Sequence, residues 1–460
     1  IQDDGVNKAR RSVSVDRDLV RLLAHYRAQK PPADRWRIVI AGDFIDFIGM
    51  TLMPGDRALS TQPSQEEREH GLGNSSDHAR VKLGAAISRH RAVFEALARF
   101  VAAGHAVTIV RGNHDVDFHW DAVQEDLRAK LVEMAGPEAA GVASRIEFAP
   151  WFYYVGGVAY VEHGHQYDTL CSTAHVMAPL SPLDPRHIAR SFSDVLLRFV
   201  VRPTRGLPEY GHDRMGLADY VLFAARLGVR GLVRLGMRFA AAVVELFRLR
   251  RAHLSEAARA LREEQERRMA SLAVATRVGI ERLRALASLQ VPPVTESAQK
   301  ILASVLLDRL GAGLLAAASV VALSVAGHRY AWCWPALAGV CAGWWLLQRH
   351  LTARRKQWFG EHLDNHETLA ERAGHLARLF PAAFVVMGHT HVPVRIPLAQ
   401  GAATYVNVGS WHEAEAGQEK AGGGFQAART HLVIHPSADE GAAPTAEFMK
   451  WSPDGPKQFG

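Results

Sequence analysis

Cysteine is scarce in this chain. Its 460 residues include three, Cys171, Cys333 and Cys341, too few to staple a small secreted scaffold. No two of them form a CxxC pair, so a thiolate zinc site is not expected. Acidic charge is in the minority as well: 47 Asp plus Glu face 54 Lys plus Arg, a formal charge of +7. That balance favours anionic partners, whether nucleic acid, phosphorylated substrates or an anionic membrane face. Low-complexity tracts and internal repeats are absent. With 48% hydrophobic and 22% charged residues, the composition excludes a disordered chain. The length allows one large domain or two to three ordinary ones. The first residues, from Ile1, do not read as a signal peptide. With no Met at position 1, natural sequence is expected ahead of it.

What is present falls into three stretches. From Trp36 to about Pro150, apolar runs alternate with helical spacing. Arg37–Ala41 and His105–Val110 read as buried strands, each followed by a glycine-containing turn. Asp16–Gln29 and Val81–Phe100 read as helices. Trp151–Val155 and Val158–Val161 read as a hairpin about Gly156-Gly157. From about Ser191 to Arg372 the pattern is almost wholly helical and rich in Leu, Ala and Arg. Strands return at Ala383–Met387, Thr404–Val408 and Thr430–Ile434, and the Gly/Ala/Pro-rich tail after Pro436 reads as loose. The expected architecture is an α/β layered sandwich of two sheets flanked by helices, split by a helical insertion. Its parts are residues 1–190, the insertion 191–372, residues 373–435 and the tail 436–460.

Four short clusters follow predicted strands: Gly42-Asp-Phe-Ile-Asp46, Gly112-Asn-His-Asp115, His163-Gly-His165 and Gly388-His-Thr-His391. Loops at the carboxyl ends of strands form the usual crevice of a layered sheet protein. A glycine beside a cluster lets the backbone turn sharply next to a ligand group. Imidazole, carboxylate and amide oxygen together suit Mn, Fe or Zn, and one carboxylate can bridge two such ions.

In this order the clusters resemble the calcineurin-like metallophosphoesterase family. Its pattern is Asp-x-His, Gly-Asp-x-x-Asp, Gly-Asn-His-Asp/Glu, a His often followed by Gly, and Gly-His-x-His. The resemblance covers Trp36–Asp168 and Ala382–Trp411, less than half the chain. It implies a dinuclear metal centre. Asp43 would be the bridging carboxylate, Asn113, His163 and His389 ligands of one ion, and His391 a ligand of the second. It further implies that His114 contacts the phosphate and protonates the leaving oxygen, and that Asp115 fixes the tautomer of His114. Asp46 and His165 would support the ligands or touch the substrate. Asp-x-His, which would complete the second metal site, is absent; the strand that carries it is expected just before Ile1.

Within the insertion, Leu310–Gly327 and Ala331–Gln348 are charge-free apolar runs, read as a transmembrane hairpin over 310–348. Trp332, Trp334, Trp344 and Trp345 would be its interfacial aromatics. Arg349, Arg354, Arg355 and Lys356 would set a cytoplasmic exit, leaving the catalytic domain cytoplasmic. Arg226, Arg230, Arg234 and Arg238 recur every fourth residue and read as a basic stripe for an anionic interface. These features make the chain loosely similar to the UDP-diacylglucosamine hydrolase branch of the family, whose third motif carries Arg where His114 stands. The expected function is a membrane-attached, metal-dependent hydrolase of a phosphate ester or diphosphate on an amphiphilic substrate. Alternatives are a nuclease or cyclic-nucleotide phosphodiesterase of the same family, or a non-catalytic membrane-tethered sensor. Nucleic acid is disfavoured because the arginines concentrate away from the metal clusters. The insertion could also pair copies into a homo-oligomer.

Overall fold

The computed structural model describes residues 13–31, 34–204, 217–305, 307–327, 329–330, 332–359, 366–398, 403–411, 429–437 and 443–459. Strands β1 (Arg37–Ala41), β2 (Ala106–Val110) and β3 (Ile146–Ala149) form one parallel sheet. A second sheet has the order β4-β5-β6-β8-β7, from Phe152–Val155, Gly157–Glu162, Ala382–Met387, Thr404–Asn407 and Val394–Pro397. A third, antiparallel sheet joins β9 (Thr430–His435), β10 (Thr445–Ser452) and β11 (Gly455–Gln458).

The two-residue period of the strands sorts their side chains into layers. Val107 and Ile109 of β2 pack with helices α1 (Val13–Ala28), α3 (Ser76–Arg89), α4 (Arg91–Ala102) and α5 (Asp121–Ala135) through Leu23, Leu83, Phe94 and Leu127. Val110 turns the other way, onto Val161, Phe384 and Val386 of the second sheet. Val385 and Met387, the alternate residues of β6, face α8 (Glu256–Thr276), α9 (Ile280–Ser288) and α13 (His366–Leu379) through Met269, Leu286 and Leu376. The layers therefore run helix, sheet, sheet, helix, as the α/β patterning implied. Two of the outer helices, α8 and α9, come from the insertion.

The insertion has its own core. Val195 of α6 (Phe192–Leu196) packs with Phe199, with Leu246 of α7 (Leu217–Ala252) and with Ile301 of α10 (Ala298–Ser304). It ends in a hairpin of α11 (Leu307–Gly327) and α12 (Cys333–Phe359), anchored where Arg309 donates to Thr352 at 2.9 Å and Arg354 to Gln299 at 3.3 Å.

Several expectations are corrected. Among the described residues no helix is long and apolar enough to cross a membrane. Pro335, two glycines and the paired indoles dilute the apolar run of α12 before Gln348-Arg349-His350 ends it. Each run, at 1.5 Å per residue, falls short of the ~30 Å hydrocarbon core. The basic stripe is not one continuous helix either, because Gly228 (φ 62°, ψ 177°) breaks it between Arg226 and Arg230. The span 81–100 is two helices parted at His90, and 255–289 is likewise α8 and α9. The tail is not loose: Thr445–Ser452 and Gly455–Gln458 are paired strands. Residues 205–216 and 360–365, inside the predicted insertion, lie outside the described residues.

Candidate metal centre

The loop after β1 carries Asp43, and the loop after β2 carries Asn113 and His114. Backbone sterics explain why glycine precedes each. Gly42 adopts φ 86°, a left-handed conformation, and a Cβ on it would lie 2.4 Å from the imidazole of His163. Gly112 is a case of close approach: a Cβ there would sit 2.2 Å from Asp43 Oδ1. Both glycines let two loops close onto each other.

His163 directly follows β5 and reaches back to the first sheet. Its Nδ1 is hydrogen-bonded to the Ala41 carbonyl at 2.8 Å, so Nδ1 carries the hydrogen. That fixes Nε2 toward Asn113 Oδ1 at 3.0 Å and Asp43 Oδ2 at 3.2 Å. Such second-partner bonding is how ligating histidines are oriented. His389 lies in the loop after β6, its ring centroid 5.3 Å from that of His163. Its Nε2 is 3.1 Å from Asp168 Oδ2. Asn407 of β8 donates to Thr390 Oγ1 at 2.9 Å and holds this loop in place. Asp43, His389 and His391 all adopt left-handed φ values of 54°, 67° and 61°. Only two other described non-glycine residues, Arg277 and Arg429, do so. Backbone strain of this kind clusters at functional sites.

His114 sits beside this group. Its amide donates to Asp43 Oδ1 at 2.8 Å, and its Nδ1 bonds Asp46 Oδ1 at 2.8 Å. Burial disfavours its charged form, but the carboxylates of Asp46 and Asp43 outweigh that and push its pKa up to about 10. Burial likewise disfavours the charged form of Asp43, yet His163 and His114 hold its carboxyl well below the usual range.

The structure exchanges the expected roles of two carboxylates. Asp46, not Asp115, is the partner of His114. Asp115 instead accepts from the Gly112 and Phe44 amides at 2.6 and 2.7 Å, tying the two loops together. Its side chain is spent on backbone donors that would otherwise be buried unpaired. His165 is buried, its pKa lowered by burial and then by the neighbouring imidazoles, so it is neutral. Its Nδ1 has no hydrogen-bond partner among the described residues. His391 lies in the same loop, two residues beyond His389.

Sequence reasoning missed three contributors. Asp168 and Cys171 lie with His389 close enough to hold an ion together. Arg202, from the start of the insertion, stands 3.9 Å from Asp46 Oδ2. Asp168 had a signal in its place just after His163-Gly-His165, whereas Arg202 had none. A cleft opens beside these groups, its lining including Asn113, His165, Lys82, Asp117, Arg190 and Arg198. Burial lowers the pKa of Lys82 and raises that of Asp117.

No protein-family model matches this chain, and neither a curated protein nor a solved structure does. The site must therefore be judged on its own chemistry. Asp43 Oδ2, Asn113 Oδ1 and His163 Nε2 are separated by 3.0 and 3.2 Å across His163. Octahedral bonds of about 2.1 Å place neighbouring donors about 3 Å apart. One carboxylate, one amide oxygen and one imidazole suit a borderline divalent ion, and the buried His165 imidazole stands beside them. The residues present fit a metal.

Proposed function

We propose that this protein hydrolyses a phosphoric ester or diphosphate with the help of divalent metal. The observation that carries this reading is the convergence of Asp43, Asn113 and His163 from three strand ends, with the His114–Asp46 pair alongside. Asp43, Asn113, His163 and His389 would hold the metal. When bound, a divalent ion neutralises phosphoryl oxygens and lowers the pKa of water. The chain's own groups do the rest. Asp46 keeps Nδ1 of His114 occupied and the ring charged. That leaves Nε2 to donate to a phosphoryl oxygen and to protonate the leaving oxygen. Lys82, Arg190 and Arg198 give the cleft a positive lining suited to an anionic substrate.

The reading extends to attachment at a membrane surface. Leu314, Leu315, Val321 and Val325 of α11 and Trp344, Trp345 and Leu346 of α12 are exposed. Arg349 and Arg354 follow on the same helix. An apolar hairpin with a basic base suits an anionic bilayer face, which it would enter without crossing.

Hydrolysis of bis-p-nitrophenyl phosphate with added Mn²⁺ tests the activity, with His114→Ala as control. Metal-dependent turnover that collapses in the control is the expected result. Absence of turnover from the metal-loaded protein, on this ester and on lipid-linked diphosphates, would overturn the reading.

A further inference from the structure

A second group of metal-type side chains lies outside the candidate centre, at Glu67, His78 and His187. Glu67 belongs to α2 (Gln65–His70) and His78 to the first turn of α3. His187 comes from the loop ahead of α6. One nitrogen from each imidazole and one carboxylate oxygen lie within 4.8 Å of one another. The distances are tighter still at the carboxylate: Glu67 Oε1 is 3.3 Å from His78 Nδ1 and 3.4 Å from His187 Nε2.

The outer partners decide what these atoms carry. His78 Nε2 contacts the Thr61 carbonyl at 2.9 Å, so its hydrogen is there. The Gly73 amide points at His78 Nδ1 from 3.3 Å, which marks Nδ1 as a lone pair. His187 Nδ1 faces Asp184 Oδ2 at 3.4 Å, which leaves Nε2 turned toward Glu67. Glu67 Oε2 is already taken by the Ser64 amide and hydroxyl at 2.8 and 2.9 Å. Oε1 is buried and has no hydrogen bond among the described residues. Two imidazole nitrogens and one carboxylate oxygen thus converge in a largely buried place, a donor set that one divalent cation would bridge. Glu67 is 2% exposed and His78 0%.

We infer that Glu67, His78 and His187 form a second, separate metal site for Zn²⁺. Tetrahedral zinc with bonds of about 2.0–2.1 Å sets neighbouring ligand atoms about 3.4 Å apart, which matches both distances to Glu67 Oε1. Two imidazoles and one carboxylate are a zinc donor set, with water in the fourth place. Thr61 supplies His78 with the outer hydrogen bond that ligating histidines use, and the Asp184 carboxylate stands behind His187. The ion ties α2 and α3 to the loop that carries Arg190. Arg190 in turn pairs with Glu66 at 2.9 Å and lines the cleft. Its role is to fix that wall of the cleft. The inference does not depend on what the cleft hydrolyses.

The test uses the full chain with the strand-end ligands removed by Asp43→Asn, His163→Ala and His389→Ala, stripped with chelator and titrated with Zn²⁺. The expected result is about one zinc per chain, measured by elemental analysis after gel filtration. Tm should rise by a few degrees or more at saturating zinc. Adding His187→Ala should remove both the ion and the rise. If that variant does not fold, Glu67→Gln makes the same comparison. If the stripped protein fails to fold, the unsubstituted chain should lose one zinc per chain on His187→Ala alone. No bound zinc, or equal zinc with and without His187, would overturn the site.

Discussion

The strand-end loops and the α11–α12 hairpin carry the two strongest signals in the sequence, and the fold treats them differently. At the strand ends the side chains are held by second partners: Ala41 orients His163, Asp46 orients His114, and Asn407 holds the loop of His389. The hairpin shows the reverse, with Leu314 and Leu315 each 72% exposed and Trp345 56%. One region is built to hold groups at fixed positions. The other leaves apolar surface uncovered, which marks an interaction surface. The proposed chemistry and the proposed attachment thus fall on separate parts that substitution should separate.

The largest effect is expected for Asp43→Asn, which removes charge from the carboxylate between His163 and the His114 amide. Hydrolysis should fall to background and tightly bound metal should be lost, while the circular dichroism spectrum is retained. His114→Ala should lower kcat by roughly 10²–10⁴-fold and leave metal content unchanged. The exchange of roles between the two carboxylates gives a sharper test. Asp46→Asn should cost about 10–100-fold in activity and flatten the alkaline limb of the pH–rate profile that His114 sets. Asp115→Asn should instead lower Tm, because two buried amides lose a charged acceptor. Equal losses from both would break the distinction. On the other side of the comparison, Trp344→Ser with Trp345→Ser should reduce co-sedimentation with anionic vesicles severalfold. Turnover of a water-soluble ester should not change. If it does, attachment and chemistry are coupled.

The smallest effect concerns stability in acid. Asp77 accepts from the Thr61 amide and the Ser60 and Ser75 hydroxyls. Burial opposes its ionisation, yet these donors hold its carboxyl below the usual range. Its folded pKa lies below its unfolded one, so its contribution is present above the ordinary Asp value and lost as pH falls through the folded one. Asp77→Asn should therefore reduce Tm slightly at neutral pH and make the acid-side decline shallower.

Much of the strand-end site was legible in the sequence because its signals are local. A short apolar run, a glycine and a polar cluster need no knowledge of tertiary structure, and Asp43, Asn113, His163 and His389 all stand in such places. What could not be read depends on contacts between distant segments. Asp46 and Asp115 each lie close in sequence to a site loop, and only the fold shows which of them reaches His114. Glu67, His78 and His187 come from two helices and a remote loop, with no spacing to connect them. The strands of the tail were hidden by the Gly/Ala/Pro residues ahead of them, although Thr445–Trp451 alternates as a strand does. The hairpin was overread because apolar composition reports burial from water, not what provides it.

The parallel pairing of β5 with β6 joins Gly157 to Ala382 and Val161 to Val386. More than two hundred residues, including the whole insertion, are synthesised between the two partners. Contacts so far apart in the chain form late and slowly, because loop-closure entropy opposes them until the rest is in place. His163 directly follows β5 and His389 lies in the loop after β6. The candidate group of Asp43, Asn113, His163 and His389 is therefore complete only once β6 has paired. A chain stalled within the insertion has made Asp43, Asn113 and His163 but lacks His389. Under the proposed function, metal uptake that needs His389 would report completed folding.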